Sequence, residues 1–384
     1  MRIAHVVPRG EQPWSGILTV IVDLSGALRA RGHQVEVWRL HDWPSERYAR
    51  QRGLLEAFGV SEVPVATDDP WWKVGRAVRA AAEERDIDVI HLHGAFNVWN
   101  TMVSRAILRP FVFSPHSGYE PVSLRRSRVR KAVYARLFER RMLSRAALLV
   151  ALTETELSHL RAFGDHGPTE VIPNGVRPPP LDVDPLAFRT AVGLTQGTPL
   201  AVFVGRLDVH RKGLDRLVRG MAGAPAWHLA LVGPRFRGMG RLEATIRDLA
   251  IGERVHVVGE RYGAALHEVL AAADVFVMLS RWEGLPMALL EALSHGTPAV
   301  VSAAVEHLVA VEAAGAGLVA DEHDLPAILE RFRSARADEA GRWREAARIL
   351  ARQYEWGSVA RRYGEAYERA VRSVPTGGRE RDRE

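Results

Sequence analysis

The sequence predicts an α/β protein with two doubly wound, Rossmann-like domains. Three observations predict this class. Short apolar runs alternate with helical patterns through the first half, a Pro- and Gly-rich segment interrupts them at residues 171–180, and the same alternation then restarts. Such alternation is typical of a parallel sheet covered by helices on both faces. Ligands of these folds bind outside the carboxyl ends of the strands, so we expect a binding cleft between the two domains.

The apolar runs of the first half define its elements. Each strand is short and rich in Val, Ile, Leu and Phe, and each helix has apolar residues at helical spacing. The helix after the first strand ends at Gly32, which is a typical terminator. The predicted strands are residues 3–7, 35–40, 89–93, 111–114 and 148–152, and the predicted helices are residues 17–31, 72–85 and 124–144.

The second half repeats this pattern after the linker. Helices are predicted from Leu214 and Arg241, near residues 265–272, through the segment after Pro286, and from Leu325 onwards. The strands are predicted at residues 200–204, 229–232, 255–258, 275–279 and 299–302. The predicted organisation is a first domain at 1–172, a linker at 173–180, a second domain at 181–355, a final amphipathic helix at 356–372 and a disordered tail at 373–384.

Composition excludes several classes of protein. With 384 residues and 47% hydrophobic content, the chain is long enough for two full cores. It contains no cysteine, which excludes disulfides, thiolate metal sites and cysteine nucleophiles. We expect a cytoplasmic protein, because no apolar run reaches about twenty residues and the N-terminus resembles a buried strand. The net charge of +6 comes almost entirely from arginines interleaved with acidic residues, so no nucleic-acid partner is expected.

The segment from Ser280 to Ala292 carries two carboxylates, Glu283 and Glu291, separated by seven residues. Gly284 and Pro286 lie between them, and Pro286 is suited to the first turn of a helix. A helix N-terminus favours a phosphate, whereas carboxylates accept hydrogen bonds from hydroxyls. The segment therefore predicts a pocket for a sugar nucleotide. The residues predicted to bind this sugar nucleotide are Glu283, Gly284, Leu285, Pro286 and Glu291.

This arrangement resembles the E-x7-E motif of the retaining GT-B glycosyltransferases of glycosyltransferase family 4, and the resemblance covers nearly the whole chain. It implies that Glu283 contacts the donor sugar and that Glu291 binds the ribose hydroxyls. It also implies a GT-B fold, in which the two domains face a central cleft. The last helix of that fold crosses back to the N-terminal domain, here near Trp356.

A second signature follows the strand at residues 200–204. Gly205-Arg206-Leu207 and, further on, Lys212-Gly213 resemble the family's G-R-L…K-G pattern. The resemblance implies that Arg206 and Lys212 hold the donor diphosphate and act in catalysis. Fixed cations stabilise the charge of the leaving group, so no metal and no cofactor are expected. The donor base is expected to pack near Glu260 and Arg261.

The segment Pro13-Trp14-Ser15-Gly16 lies between the first strand and the first helix. Glycine at this point allows the backbone to approach a phosphate, so Gly16 is a predicted donor-binding residue. The family usually has Gly-Gly here, whereas this chain has Ser15-Gly16. The alternative is a plain helix entry with Ser15 as the N-cap.

Histidines end two predicted strands. His91 and His93 are two residues apart and therefore point the same way. This spacing could bind a metal, but the sequence shows no third ligand, so they are interpreted as polar residues lining the cleft. His93 and Glu120 are assigned to the acceptor. Pro115-His116-Ser117 resembles the family's P-H-G segment, which implies that His116 bonds a hydroxyl of the donor sugar during catalysis.

The basic helix at residues 124–136 has two interpretations, a solvated arginine-rich face or a peripheral contact with the inner face of a membrane. The acceptor is accordingly a small molecule or a lipid-linked one, and the protein is expected to be a monomer or homodimer.

The expected activity is retaining transfer of a hexosyl or N-acetylhexosaminyl group, from a UDP-sugar in preference to a GDP-sugar, giving an α-glycoside. The alternatives are a sugar-nucleotide epimerase and an inactive nucleotide-sugar-binding protein. The first turn lacks G-x-G-x-x-G, which argues against a dinucleotide oxidoreductase.

Overall fold

Two parallel β-sheets organise the chain. The structure, a computed structural model, describes residues 1–8, 16–41, 48–66, 69–125, 128–164 and 167–373. The chain divides into two units. The first comprises Met1–Gly175 and the chain from Trp356 onwards, and the second comprises Val176–Glu355.

The first unit contains a seven-stranded sheet of order β3-β2-β1-β4-β5-β6-β7, and every neighbouring pair is parallel. Strands β4, β5 and β6 are buried along their whole length, as expected for a sheet covered on both faces. The strands are β1 Arg2–Val7, β2 Gln34–Arg39, β3 Ser61–Pro64, β4 Val89–His93, β5 Phe111–Ser114, β6 Leu148–Ala151 and β7 Thr169–Val171.

Helices cover this sheet and include the last helix of the chain. In the final helix, Tyr363 and Tyr367 are almost fully buried and belong to the core that also contains Ile3 and Leu18. The predicted return of this helix to the first domain is therefore observed. The helices are α1 Gly16–Ala30, α2 Ala49–Ala57, α3 Trp71–Glu84, α4 Val98–Ala106, α5 Pro121–Arg125, α6 Arg128–Tyr134, α7 Arg140–Arg145, α8 Glu154–Phe163 and, from the end of the chain, α17 Trp356–Ser373.

The second unit contains a six-stranded parallel sheet of order β10-β9-β8-β11-β12-β13. Its core is a single cluster of buried hydrophobic residues, built mainly from Val, Leu and Ala. Its strands are β8 Leu200–Val204, β9 His228–Val232, β10 Val255–Gly259, β11 Val275–Met278, β12 Ala299–Val301 and β13 Gly317–Val319. Its helices are α9 Pro185–Ala191, α10 Leu214–Ala222, α11 Met239–Asp248, α12 Ala264–Ala272, α13 Met287–Ser294, α14 Ala303–Val309, α15 Leu325–Ser334 and α16 Ala337–Arg352.

The predicted linker lies where the chain passes between the units. A Cβ atom on Gly175 would lie 2.3 Å from the ring of Trp356, so only glycine permits this contact within the first unit. In the next residue, the N–H of Val176 donates to the carbonyl of Tyr354 at 2.6 Å, within the second unit. The two chain crossings thus lie side by side, at Gly175–Val176 and at Glu355–Trp356.

The predicted basic helix is interrupted rather than uniform. Helix α6 continues into a π-helical turn at Ala135–Glu139, and α7 follows directly. A π-turn breaks the 3.6-residue period, so an analysis based on that period does not detect it. Such turns are frequent at functional sites, and Glu139 at its end is fully buried.

Parts of the predictions lie outside the described residues. These parts are Pro13, Trp14 and Ser15, residues Arg126 and Ser127 of the predicted basic helix, and the predicted tail beyond Ser373. Among the helices that the structure does describe, none combines the length and hydrophobicity that crossing a bilayer requires.

Candidate active site

The order of strands in the second sheet indicates where a ligand binds. Strands β8 and β11 are neighbours, and the chain leaves them in opposite directions, towards β9 and β10 on one side and β12 and β13 on the other. Open α/β sheets bind ligands at the carboxyl ends of the strands that flank such a switch point. The loop after β8 carries Arg206 and Lys212, and the loop after β11 carries Glu283.

These two loops are joined by an ion pair. The Nζ atom of Lys212 lies 2.7 Å from Oε1 of Glu283, and the hydroxyl of Ser280 donates to the same oxygen at 2.6 Å. Nη2 of Arg211 lies 3.6 Å from Oε2. The Glu283 side chain is 4% exposed and that of Lys212 is 16% exposed. A nearly buried carboxylate is thus compensated by two cations and a hydroxyl, as a buried charge requires.

Gly213 explains why the loops can approach this closely. It precedes α10 in a left-handed conformation, with φ of +63°. A Cβ atom there would lie 2.0 Å from the carbonyl oxygen of Leu279, at the end of β11. Because only glycine lacks that atom and tolerates this φ, the Lys212-Gly213 sequence is what brings Lys212 to the neighbouring strand.

A second ion pair fixes the loop that carries Glu283. The guanidinium of Arg281 donates from both Nη atoms to the two oxygens of Asp215 on α10, each at 2.7 Å. Burial opposes the charge of Asp215, but the hydrogen bonds and charge of Arg281 outweigh it and lower the pKa of this carboxyl. The backbone N–H of Arg281 also donates to the carbonyl of Arg211 at 2.9 Å. A planar two-point pair of this kind fixes position as well as charge.

The other residues of the E-x7-E segment lie in the loop before helix α13 or within that helix. Gly284 and Leu285 lie in the loop, and Glu291 lies in the second turn of the helix. The prediction that Pro286 occupies the first helical turn is wrong by one position. Pro286 is the N-cap residue, because its ψ of 88° is not helical, and α13 begins at Met287.

The remaining predicted donor residues of the second unit, Arg206, Glu260 and Arg261, follow strands β8 and β10. Arg206 is exposed, and its guanidinium carbon lies 5.1 Å from the centre of the Phe236 ring. Glu260 and Arg261 follow β10, where the hydroxyl of Tyr262 donates to Oε2 of Glu260 at 3.0 Å. All of them therefore lie at the carboxyl edge of the sheet, the edge that also carries Lys212.

In the first unit, the structure brings four histidines together. His5 on β1 pairs in register with His91 on β4, and His93 lies two residues further along β4. Nδ1 of His5 is 3.1 Å from Nε2 of His93, and Nδ1 of His93 is 3.0 Å from Nε2 of His116. His5 is the third imidazole that the sequence analysis did not find. Its ring atoms, with those of His91 and His93, are close enough to hold a metal ion.

Burial keeps these imidazoles neutral. It lowers the pKa of His5 to about 3 and that of His116 to about 4. Burial, together with the neighbouring histidines, lowers the pKa of His91 and His93 well below the ordinary value. At neutral pH each ring therefore has one N–H donor and one acceptor nitrogen.

Two buried glutamates hold the loops that follow β4 and β5. Oε1 of Glu139 accepts from the backbone N–H of Phe96 at 2.8 Å and from the hydroxyl of Tyr119 at 2.7 Å. Glu156 accepts from the backbone N–H of Ser117. Phe96, Ser117 and His116 all have positive φ, of 55°, 62° and 50°, which is uncommon for residues other than glycine. The glutamates thus stabilise the backbone that presents His116.

The pKa of Glu139 makes the stability that this side chain contributes dependent on pH. Burial raises the pKa from 4.5 to about 7, although the bonds from Phe96 and Tyr119 act in the opposite direction. Because the folded-state value lies above the unfolded one, the stability that Glu139 contributes is complete below about pH 4.5. It is lost as the pH rises through about 7.

Glu139→Gln is therefore expected to be stabilised relative to wild type as the pH rises. The difference in the free energy of unfolding, variant minus wild type, should be roughly 2–3 kcal/mol larger at pH 8 than at pH 5. The glutamine carbonyl can accept the same two hydrogen bonds without a charge. Urea unfolding at both pH values measures the difference. Glu83→Gln, on the exposed face of α3, serves as the control. An equal effect of Glu139→Gln at both pH values would contradict the assignment.

The last three predicted site residues are His93, Glu120 and Gly16, and each lies in a different environment. His93 is 1% exposed and both of its ring nitrogens face other histidines, which favours a role behind His116 rather than contact with an acceptor. Glu120 is 8% exposed and precedes α5, where its carbonyl accepts from Leu124. Gly16 is the first residue of α1.

Comparison with known proteins matches both halves of the chain to glycosyltransferases. Residues 14–178 match the profile of Glycosyltransferase Family 4, and residues 187–352 match that of glycosyl transferases group 1. The GDP-mannose:cellobiosyl-diphosphopolyprenol alpha-mannosyltransferase of Xanthomonas campestris is 25% identical over 397 residues, a match that covers 97% of each chain. The glycogen synthase of Halorhodospira halophila is 34% identical over 206 residues, which cover 49% of this chain and 41% of that enzyme. The chain thus spans less than half the length of this second relative.

A solved structure shows the same fold. Anabaena Alr3699/HepE, crystallised in complex with UDP and glucose, superposes with a TM-score of 0.76. The superposition covers 96% of this chain and 99% of that one, at 20% sequence identity.

Proposed function

Because this chain is a GT-B glycosyltransferase of glycosyltransferase family 4, we propose that it transfers a hexosyl or N-acetylhexosaminyl group from a nucleotide sugar to an acceptor hydroxyl. The transfer proceeds with retention and gives an α-glycoside. A UDP-sugar is the favoured donor and a GDP-sugar the second candidate. The observation that carries the proposal is the Lys212–Glu283 pair at the β8–β11 switch point, with Arg206 on the same loop as Lys212.

The chemistry of this pair suits a sugar diphosphate. As the glycosidic bond breaks, negative charge accumulates on the departing diphosphate, and prepositioned cations stabilise that charge. Lys212 has three N–H donors, so it can keep Glu283 and still bind a phosphate oxygen. Glu283 accepts hydrogen bonds from sugar hydroxyls, and Glu291 from the ribose. Arg206 and Lys212 supply the charge, so the proposed reaction needs no metal.

Donor binding and product analysis test the proposal. In calorimetry with UDP, GDP, ADP and their sugars, one nucleotide should bind, and its affinity should be weaker in Lys212→Ala. NMR of the product should show an α-linkage. Epimerised sugar nucleotide formed without any acceptor would favour the epimerase alternative, and binding without turnover of any donor would favour an inactive binding protein.

His116 is assigned to a hydroxyl of the transferred sugar, as the family resemblance implies. His116→Ala is expected to lower kcat by roughly 10- to 100-fold, because a hydrogen bond made in the transition state is lost. The Kd of the nucleoside diphosphate should be unchanged, and calorimetry measures it. His323→Ala, an exposed histidine in the second unit, serves as the control. Lost nucleotide affinity with intact turnover would contradict the assignment.

A lipid-linked acceptor at an anionic membrane surface is supported by the first unit. Val129 and Val133 are 78% and 53% exposed and lie four residues apart on α6, so they share one face. Arg128, Arg130 and Lys131 surround them. Exposed apolar residues among cations are typical of helices that lie in a membrane interface. The X. campestris relative is itself named for a diphosphopolyprenol acceptor.

Replacing Val129 and Val133 with aspartate is therefore expected to reduce co-sedimentation with phosphatidylglycerol vesicles by at least 10-fold, since it removes apolar contact and adds repulsion. Phosphatidylcholine vesicles should bind wild type weakly. The control is Leu181→Asp, because Leu181 is fully exposed in the second unit. Equal sedimentation of the double variant and wild type would refute the contact.

A further inference from the structure

Three imidazoles form a hydrogen-bonded chain across neighbouring strands of the first sheet. His5 on β1 contacts His93 on β4, and His93 contacts His116, which follows β5. Strands β1, β4 and β5 are adjacent in the sheet. His5 and His93 are at most 1% exposed, whereas His116 is only partly buried. The chain thus runs from the core to the residue assigned to the sugar.

This chain has two arrangements of its protons. A neutral imidazole has one N–H and one acceptor nitrogen, so either every ring carries its proton on Nδ1 or every ring carries it on Nε2. In the first arrangement, His5 donates to His93 and His93 donates to His116. In the second, the direction of both hydrogen bonds is reversed.

The buried end of the chain distinguishes the two arrangements. Nε2 of His5 is buried and has no hydrogen-bond partner among the residues that the structure describes. In the Nε2 arrangement this atom would carry an unpaired buried N–H, and orphaned N–H donors are rarer in proteins than unpaired acceptors. The Nδ1 arrangement leaves only a lone pair there, so it is favoured.

We propose that His93 is a positioning residue that accepts from His5 and donates to His116, holding the proton of His116 on Nδ1 so that this nitrogen donates to substrate. The kinetic part of this inference rests on the proposed function, whereas the proton positions do not. The backbone N–H of Ser117 donates to Glu156, so His116 is fixed through both its ring and its backbone.

The same cluster is less suited to a metal ion. Both ring nitrogens of His93 already contact other histidines. The nitrogens of His91 are also occupied, because Nδ1 lies 2.7 Å from the Tyr367 hydroxyl and Nε2 lies 2.8 Å from Oγ of Ser114. A metal bound by His5, His91 and His93 would have to displace one hydrogen bond at His91 and one at His93, either the bond to His5 or the bond to His116.

Two amide substitutions at His93 separate the contacts. Asparagine places its amide near the position of Nδ1, so His93→Asn can still donate to His116. Glutamine places its amide near Nε2, so His93→Gln keeps the contact with His5 and loses the donor to His116. Asparagine and glutamine at His5 test whether His5 sets the proton position of His116 through His93. His5→Asn keeps the donor to His93, whereas His5→Gln removes it.

Long-range ¹H–¹⁵N correlation spectra of the full-length protein with ¹⁵N-labelled histidine report which nitrogen carries the proton. We expect Nδ1–H for His116 in wild type, His93→Asn and His5→Asn, and a shift away from it in His93→Gln and His5→Gln. The control is His228→Gln, which removes the Nδ1 atom from a histidine pair of the second unit, 3.0 Å between Nδ1 of His228 and Nε2 of His256, and should not move the His116 signals.

Kinetics supply the second measurement. His93→Gln is expected to lower kcat by about 10- to 100-fold with unchanged nucleotide affinity, and His93→Asn to restore most of it. Nε2–H on His116 in wild type, unchanged His116 signals in His93→Gln, or one equivalent of a transition metal in the purified protein would each overturn the inference. If wild type transfers no sugar while the proton positions are as expected, the proposed function fails and the hydrogen-bonded chain stands.

Discussion

Lys212→Ala is expected to lower kcat by about 10²- to 10³-fold, the loss that follows removal of one prepositioned donor to developing negative charge. The structure adds a reason, because Lys212 also neutralises Glu283, whose side chain is only 4% exposed. Ser280 and Arg211 remain beside the carboxylate, so the fold should survive. Steady-state kinetics with a saturating donor measure the change.

The matched control for this variant is Lys73→Ala on the exposed face of α3. It removes the same charge from the first unit and should leave kcat and the unfolding temperature near the wild-type values. Near-normal turnover of Lys212→Ala would remove Lys212 from the mechanism. Lost turnover together with a lost unfolding transition would show a structural rather than a catalytic role.

Glu283→Gln is expected to lower kcat by at least about 10²-fold, because the variant keeps the shape of the side chain and removes the charge that holds Lys212. The glutamine carbonyl can still accept from Ser280. Glu283→Ala is less informative, since an unpaired buried partner costs about 3–5 kcal/mol of stability by itself. Single-turnover kinetics of Glu283→Gln measure the chemical step directly.

Combining the two substitutions tests whether the residues act as one unit. If they do, Lys212→Ala with Glu283→Gln should be little slower than the worse single variant. Lys73→Ala combined with Glu283→Gln provides the control, since Lys73 lies on the exposed face of α3 and should leave the loss caused by Glu283→Gln unchanged. Fully multiplicative losses would indicate that Lys212 and Glu283 act independently.

The fold was predictable wherever apolar runs were long enough to show a period. Strands Val89–His93, Phe111–Ser114 and Leu200–Val204 have the predicted bounds. Strand β3, Ser61–Pro64, was missed because it is a short edge strand that ends in proline. Strands β7 and β13 have three residues each, too few to show alternation. Helices α2, α4, α8, α9 and α14 were missed as well, and each has ten residues or fewer.

The site was predictable where local sequence determines geometry. Glu283 lies before α13 and Glu291 inside it, as the positions of Gly284 and Pro286 indicated. The partners of those residues were not predictable, because the sheet brings together segments about 70 residues apart, such as Lys212 and Glu283. The same holds for His5 beside His93, 88 residues apart, and for the buried glutamates that hold the His116 loop.

The structure of this protein with a nucleoside-diphosphate sugar would test the central claim most directly. We expect the pyrophosphate oxygens within hydrogen-bonding distance of Lys212 and Arg206, sugar hydroxyls on Glu283 and ribose hydroxyls on Glu291. A donor bound with its pyrophosphate away from the carboxyl ends of β8 and β11, and with Lys212 and Glu283 untouched, would contradict the account.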